Sequence, residues 1–125
     1  MIPEGNTFPK SERLCSRKAI EALFAGGNRT FSAFPLRVVF IEVDEPATQI
    51  LVSVSKRHFK HAVDRNRAKR QVREAWRLNR DILADSPHHY HLAFIWLANE
   101  PQPSDVIQRK VKNLLHRIVE SATSS

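Results

Sequence analysis

The order of apolar and polar residues predicts a short helix followed by three strands. Arg17–Ala25 carries apolar side chains at helical spacing, and two glycines follow it. Residues 30–33 form a candidate edge strand, Leu36–Val43 is apolar on both faces, and residues 50–55 alternate between apolar and polar positions. Turn-forming residues over positions 44–48 join the last two strands, so we expect a hairpin that is covered on one side.

The second half of the chain predicts two longer helices separated by one buried strand. Residues 64–80 contain neither glycine nor proline and place their apolar side chains on one stripe, with Asp64 as the N-cap. Residues 90–98 are almost continuously apolar, as expected for a strand inside a sheet. Ser104 is expected to cap a last amphipathic helix. The order α-β-β-β-α-β-α therefore indicates an α+β fold with a four-stranded sheet.

Length and composition narrow the class of protein. The chain has 125 residues, of which 42% are hydrophobic, enough for one core. We expect a single domain over residues 1–125, with an extended arm over 1–10 and a frayed tail over 121–125. A single cysteine excludes a disulfide framework. The apolar runs are too short to span a bilayer and no export signal is evident, so we expect a cytoplasmic protein.

Positive charge is concentrated in one segment, which changes the functional interpretation. Residues 56–80 carry 10 Lys and Arg against 2 acidic residues, a net charge of +8, whereas the whole chain carries +7. The remaining 100 residues therefore carry a net charge of −1. A charge that served only solubility would be scattered over the surface. This distribution indicates one polyanionic partner, such as a nucleic acid, on one face of the protein.

The cations lie at the end of the predicted helix that repels them. Arg65, Arg67, Lys69 and Arg70 fall in its first turns, where the helix dipole is positive. The arrangement becomes favourable when phosphate docks there. An ordinary solvated basic helix is one alternative. A DNA recognition helix is another, although the companion helix of a helix-turn-helix motif is missing upstream.

The order of residues in this segment resembles the protein family of bacterial ribonuclease P. The central motif of that family is Arg-Asn-Arg followed by a basic helix, and here it stands as Arg65-Asn66-Arg67-Ala68-Lys69-Arg70. The strand VSVSK over positions 52–56 precedes it, and Phe8-Pro9-Lys10 with Arg13-Leu14 resembles the family's N-terminal arm. The resemblance covers roughly residues 8–120.

The resemblance implies a two-layer sandwich similar to the second domain of ribosomal protein S5. Its β-α-β unit through the basic helix is a left-handed crossover, whereas the general rule is right-handed. The resemblance also implies a subunit of a ribonucleoprotein in which RNA is the catalyst. That complex removes the 5′ leader of precursor tRNA by hydrolysis with Mg²⁺ that is held mainly by the RNA. The implied partners are this catalytic RNA and precursor tRNA, without a membrane or an obligate protein partner.

The resemblance also implies two sets of binding residues and no catalytic side chain. The first set faces the catalytic RNA and consists of Lys56, Arg57, Arg65, Asn66, Arg67, Lys69, Arg70, Arg73 and Arg77. The second set lines a cleft for the single-stranded leader and consists of Phe8, Arg13, Ile20, Phe24, Arg37, Val39 and Ser53. Two positions depart from the family, because many relatives have an aromatic residue at position 20 and glycine at position 51, where this chain has Ile20 and Leu51.

Other chemistry has weaker support in the sequence. The spacing of His88, His89 and His91 is compatible with a metal site, but no cysteine or carboxylate set accompanies them, so we interpret them as solvated loop histidines. No cluster of carboxylates suits hydrolysis by two metal ions. We therefore expect no metal bound by the protein alone. A non-catalytic protein that binds ribosomal or other structured RNA remains the alternative function.

Overall fold

A computed structural model describes residues 12–84 and 86–123, and their element order matches the predicted one. A short helix after the basic helix is additional, because four residues are too few to show a period. The elements are α1 (Arg17–Ala25), β1 (Arg29–Ala33), β2 (Leu36–Val43), β3 (Gln49–Ser53), α2 (Ala62–Asn79), α3 (Asp81–Ala84), β4 (His89–Trp96) and α4 (Ser104–Thr123).

The four strands form one mixed sheet in the order β1-β2-β4-β3. Strands β1 and β2 are an antiparallel hairpin, β2 and β4 are also antiparallel, and β3 runs parallel to β4. The predicted hairpin of the Leu36–Val43 strand with the next strand is therefore wrong, because β4 lies between them. Strand β4 is buried almost throughout, which is why it takes the interior position.

Helix α2 connects β3 to its parallel neighbour β4, and this crossover is left-handed. The side chain of Ile50 lies in the core that α2 covers, while its carbonyl accepts a hydrogen bond from the Leu14 amide (2.8 Å) at the edge of β3 away from β4. When a strand runs upward with an L side chain toward the viewer, the carbonyl of that residue points right. Strand β4 consequently lies to the left behind α2, which makes the crossover left-handed, as the family resemblance implied.

The larger core lies between one face of the sheet and helices α2 and α4. Phe94 and Trp96 of β4 are fully buried there, and Phe59 packs against Trp96 with ring centroids 5.9 Å apart. Trp76 of α2 is also buried in this core. The inward stripe of α4 is fully buried as well and consists of Ile107, Val111, Leu114, Leu115 and Ile118.

The opposite face of the sheet is partly covered by α1. Ser16 caps this helix by accepting a hydrogen bond from the Ala19 amide (3.2 Å), and Leu23 is fully buried beneath it. Ile20 and Leu51 pack into the same layer. The expectation of a sheet covered on one side is therefore corrected. Leucine at position 51 fills the space between α1 and the sheet, where a glycine would leave a gap.

Several predicted boundaries shift by a few residues. Helix α2 begins at Ala62, so Asp64 lies in its first turn, and the N-cap is His61, without a side-chain hydrogen bond. Ser104 is the first residue of α4, not its N-cap, and its hydroxyl accepts from the side-chain Nε2 of Gln71 (3.0 Å). Strand β3 ends at Ser53 because the next residues turn toward α2.

Helix α4 continues through Thr123, which corrects the expected fraying of residues 121–123. Within it the Ser121 hydroxyl donates to the Ile118 carbonyl (2.8 Å). The predicted arm over residues 1–10, including Phe8, and the last two residues of the tail lie outside the described part of the chain.

Candidate nucleic-acid interface

Helix α2 separates its apolar and cationic residues onto opposite faces. The side toward the core contains Ala68, Val72, Ala75 and Trp76, all buried. The rest of the helix surface, which we call the outer face of α2, carries exposed Asn66, Arg67 and Arg70 and half-buried Lys69, Arg73 and Arg77. The two faces follow directly from the helical period, so this part of the predicted interface is a surface of the folded protein.

A tight turn between β3 and α2 carries further cations. Residues 56–60, which we call the basic turn, present exposed Lys56, Arg57 and Lys60 beside the first turn of α2. The Ser55 hydroxyl accepts from the Arg57 amide (3.0 Å), which fixes the start of the turn. Lys60 was missing from the predicted binding residues, although it belongs to the basic segment, because the family motif does not mark it.

Arg65, the first residue of the Arg-Asn-Arg motif, points back toward the basic turn. Its Nη1 donates to the carbonyl oxygens of Phe59 (2.9 Å) and Lys60 (3.0 Å). The side chain is half-buried, whereas Asn66 and Arg67 are exposed. The structure therefore separates the three residues of the motif into one that contacts the protein backbone and two that face solvent.

The charge of Arg77 on the outer face of α2 is partly compensated. Its Nε and Nη2 donate to the two carboxylate oxygens of Glu74 at 3.0 and 2.5 Å, one turn earlier. The hydrogen bonds from Arg77 lower the pKa of Glu74, and the same pairing raises the pKa of Arg77. Both side chains thus stay ionised, and Glu74 reduces the positive potential at this end of the helix.

The segment that precedes α1 lies against the C-terminal half of α2. The carboxylate of Glu12 accepts a hydrogen bond from Trp76 Nε1 (2.8 Å) and forms an ion pair with Arg80. Burial lowers the pKa of Arg73, and the nearby charge of Arg13 lowers it further. Arg13 is therefore close to the outer face of α2. Glu12 was not predicted, since a lone acidic residue gives no signal in a single sequence.

Helix α1 leaves part of the sheet face opposite α2 and α4 exposed. Arg37 pairs with Ile95 of β4, which in turn pairs with Ser53 of β3, so the three side chains form one row across the sheet. Arg37 and Ser53 are exposed, and the Arg37 Nε approaches the Ser32 hydroxyl at 3.4 Å. This row is the floor of the predicted leader cleft, and Ile95 and Ser32 are members that the sequence did not reveal.

Helix α1 carries the residues predicted for the wall of the same cleft. Phe24 is 47% exposed, and Ile20 is half-buried one turn before it. Val39 is only 7% exposed and belongs to the core layer under α1, so we correct it from a surface contact to a supporting residue. Among the residues predicted for the cleft, Phe24 of α1 and Arg37 and Ser53 of the sheet are thus exposed.

The three histidines near β4 lie in different surroundings. His88 Nδ1 lies 2.7 Å from a carboxylate oxygen of Glu42, and His89 Nδ1 lies 2.7 Å from the Glu45 carbonyl. His91 is buried in β4, and this burial lowers its pKa, so its interpretation as a solvated loop residue is wrong. Within residues 12–84 and 86–123, no group of three or more potential ligands is placed to hold a metal ion.

Comparison with known proteins agrees with the basic surface on α2 and with the order of residues in its motif. The family model described as "Ribonuclease P" matches residues 8–119. The "Ribonuclease P protein component" of Porphyromonas gingivalis is 38% identical over 123 residues, covering 93% of this chain and 89% of that protein. The chain belongs to the ribonuclease P protein family.

Other relatives agree with this assignment. The "Ribonuclease P protein component" of Chlorobium phaeobacteroides is 30% identical over 130 residues, which cover 90% of this chain and 88% of that protein. The ribonuclease P protein of Thermotoga maritima shares the fold, with a TM-score of 0.72 at 23% identity over 85% of this chain and 96% of that structure. As a ribonuclease P protein, this chain is a subunit of the ribonucleoprotein that cleaves precursor tRNA. No helix in the described part of the chain is long and apolar enough to cross a membrane.

Proposed function

We propose that the outer face of α2 and the basic turn bind the catalytic RNA of ribonuclease P, while the cleft between α1 and the sheet binds the leader of precursor tRNA. One observation carries this proposal. Exposed Arg67 and Arg70 lie in the N-terminal half of α2, and exposed Lys56 and Arg57 lie on the turn that leads into this helix. Guanidinium groups, a helix N-terminus and a lysine then converge on phosphate.

The two surfaces adjoin one another. Ser53 ends β3 on the cleft floor, and the basic turn begins three residues later. A leader strand that lies over Arg37 and Ser53 therefore reaches the cations that hold the catalytic RNA. An exposed aromatic wall with a cationic rim suits single-stranded nucleic acid.

In this proposal the protein positions RNA and does not cut it. The Mg²⁺ ions that hydrolysis requires are held by the catalytic RNA, and the protein side chains contribute binding energy and charge compensation. Precursor tRNA enters as the substrate of the assembled complex in the cytoplasm.

The proposal is tested by identifying the RNA that contacts α2 in cells. A photo-crosslinking residue at Lys69 is expected to capture the catalytic RNA of ribonuclease P, identified by sequencing. Capture of ribosomal RNA with no enrichment of the catalytic RNA would instead support the alternative function of a structured-RNA binder.

Replacing Phe24 with alanine is expected to weaken binding of leader-bearing precursor tRNA by about tenfold, because one aromatic platform for a base is lost. Binding of tRNA without a leader by the same assembled complex should change less than twofold. The measurement is the dissociation constant of each substrate.

The control for Phe24 is Leu78, an apolar side chain of equal exposure on α2. The variant Leu78→Ala should affect both substrates equally. Equal effects of Phe24→Ala on the two substrates would show that this phenylalanine does not contact the leader.

Replacing Glu74 with glutamine is expected to strengthen binding of the catalytic RNA roughly threefold at moderate salt, because one negative charge leaves the outer face of α2. The side chain keeps its size and the Arg77 charge loses its bidentate partner. Asp105→Asn, with the same charge change on α4, is the control and should leave affinity unchanged. Unchanged or weaker binding by Glu74→Gln would place Arg77 outside the RNA contact.

A further inference from the structure

We infer that Arg65 is a positioning residue, which holds the basic turn in place instead of binding RNA itself. This inference rests on the proposed function, since it concerns how the same RNA surface is assembled. It departs from the family resemblance, which placed Arg65 among the residues that face the catalytic RNA.

The contacts of Arg65 lie within the protein. One nitrogen, Nη1, donates to the carbonyl oxygens of Phe59 and Lys60, at 2.9 and 3.0 Å. Hydrogen bonds from a charged donor to backbone carbonyls are strong when they are partly shielded from water, and this side chain is half-buried. Both acceptors belong to the end of the basic turn, so Arg65 ties that turn to the second turn of α2.

Other contacts hold the start and the centre of the basic turn. The Ser55 carbonyl accepts from the His58 amide (3.0 Å), and the His58 ring nitrogen Nδ1 lies 2.7 Å from the Asn99 side-chain oxygen. Phe59 is buried against Trp96. After Phe59 the chain runs to the N-cap residue His61, whose side chain makes no capping hydrogen bond. Arg65, which donates to the carbonyl oxygens of Phe59 and Lys60, therefore joins the turn to α2 where no capping side chain does so.

This junction sets where three cations lie relative to α2. Lys56, Arg57 and Lys60 are exposed on the turn, and Arg67 and Arg70 are exposed on the helix. Two groups of cations bind phosphates more tightly when their relative positions are already fixed in the free protein. Less conformational entropy is then lost on binding. Loss of the Arg65 contacts should therefore weaken RNA binding through the turn.

A double-mutant cycle separates positioning from direct contact. Arg65→Ala is expected to weaken binding of the catalytic RNA about tenfold in the otherwise unchanged protein. In a variant that already lacks the turn cations, Lys56→Ala with Arg57→Ala and Lys60→Ala, the same change should weaken binding less than twofold. Equal effects in both backgrounds would overturn the inference, since a residue that contacts RNA directly acts independently of the turn.

Arg67→Ala is the matched control from the same motif, because Arg67 is exposed. It should weaken binding by similar amounts in both backgrounds. If Arg67→Ala leaves RNA binding unchanged, the proposal that the outer face of α2 binds RNA is wrong. If Arg67→Ala weakens binding while Arg65→Ala is fully additive, only the positioning role fails.

A measurement without RNA gives a second readout. Amide hydrogen exchange at His58 and Phe59 should accelerate at least tenfold in Arg65→Ala and remain unchanged in Arg67→Ala. Arg65→Lys keeps the charge and a donor, so it should retain part of the protection of these amides. It is measured in place of Arg65→Ala if the alanine variant is too unstable to study. Unaltered exchange in folded Arg65→Ala would contradict the inference.

Discussion

Replacing Arg67 and Arg70 together with alanine is expected to weaken binding of the catalytic RNA by about 100-fold at physiological salt. Both side chains are exposed on the outer face of α2, and neither one forms a hydrogen bond or ion pair within the described residues. A charged hydrogen bond contributes about 1.5–3 kcal/mol, so two phosphate contacts account for this loss. The plot of log K against log[salt] should also become shallower by about 1.5, because two counterions fewer are released.

The salt dependence distinguishes local contact from a general loss of charge. Arg109→Ala with Lys112→Ala removes the same net charge from exposed positions of α4. This control should change affinity less than threefold and leave the slope within experimental error. If both double variants flatten the slope equally, RNA binding follows the overall charge of the protein and not the outer face of α2.

Replacing Trp96 with alanine is expected to lower the free energy of unfolding by about 3–5 kcal/mol. Trp96 is 1% exposed at the end of the central strand β4 and contacts Phe59 across the core. A domain of this size is stable by only about 5–15 kcal/mol, so the variant should be close to unfolding at 37 °C. Urea denaturation followed by far-ultraviolet circular dichroism measures the change.

Two further variants give the reference points for Trp96. Phe34→Ala removes an aromatic side chain that is 64% exposed in the β1–β2 turn and should cost less than about 0.5 kcal/mol. Trp96→Phe should be milder than Trp96→Ala, because most of the ring volume remains and the indole nitrogen has no hydrogen-bond partner within the described residues. A small effect of Trp96→Ala would show that the core does not close around this side chain.

The sequence predicted the helices well and the strand partners poorly, for a physical reason. Helix α2 and helix α4 each bury one stripe whose spacing is set by the chain itself, so local periodicity identifies it. Strand pairing joins residues that are distant in the chain, and no local pattern indicates that β4 lies between β2 and β3. The left-handed crossover is likewise a property of how the strands are arranged, and only the family resemblance anticipated it.

In the candidate site, too, local patterns predicted some residues, whereas contacts between distant parts of the chain were not predictable. Exposed cations such as Arg67 and Arg70 follow from charge and helical period, and the structure places both on the surface. The inward contacts of Arg65 and the ion pair between Glu12 and Arg80 depend on tertiary proximity, which a single sequence does not reveal. Val39 was assigned to the cleft by the family resemblance, but it is buried in the core layer under α1.

Reconstituted cleavage of precursor tRNA tests the central claim most directly. The protein, its cognate catalytic RNA and precursor tRNA are combined at a Mg²⁺ concentration where the RNA alone cleaves slowly. We expect the wild-type protein to accelerate cleavage at the mature 5′ end, the Arg67→Ala and Arg70→Ala variant to lose most of that acceleration, and the α4 control to retain it. The protein without RNA should cleave nothing. A cleavage rate that the wild-type protein does not raise above that of the RNA alone would contradict the account.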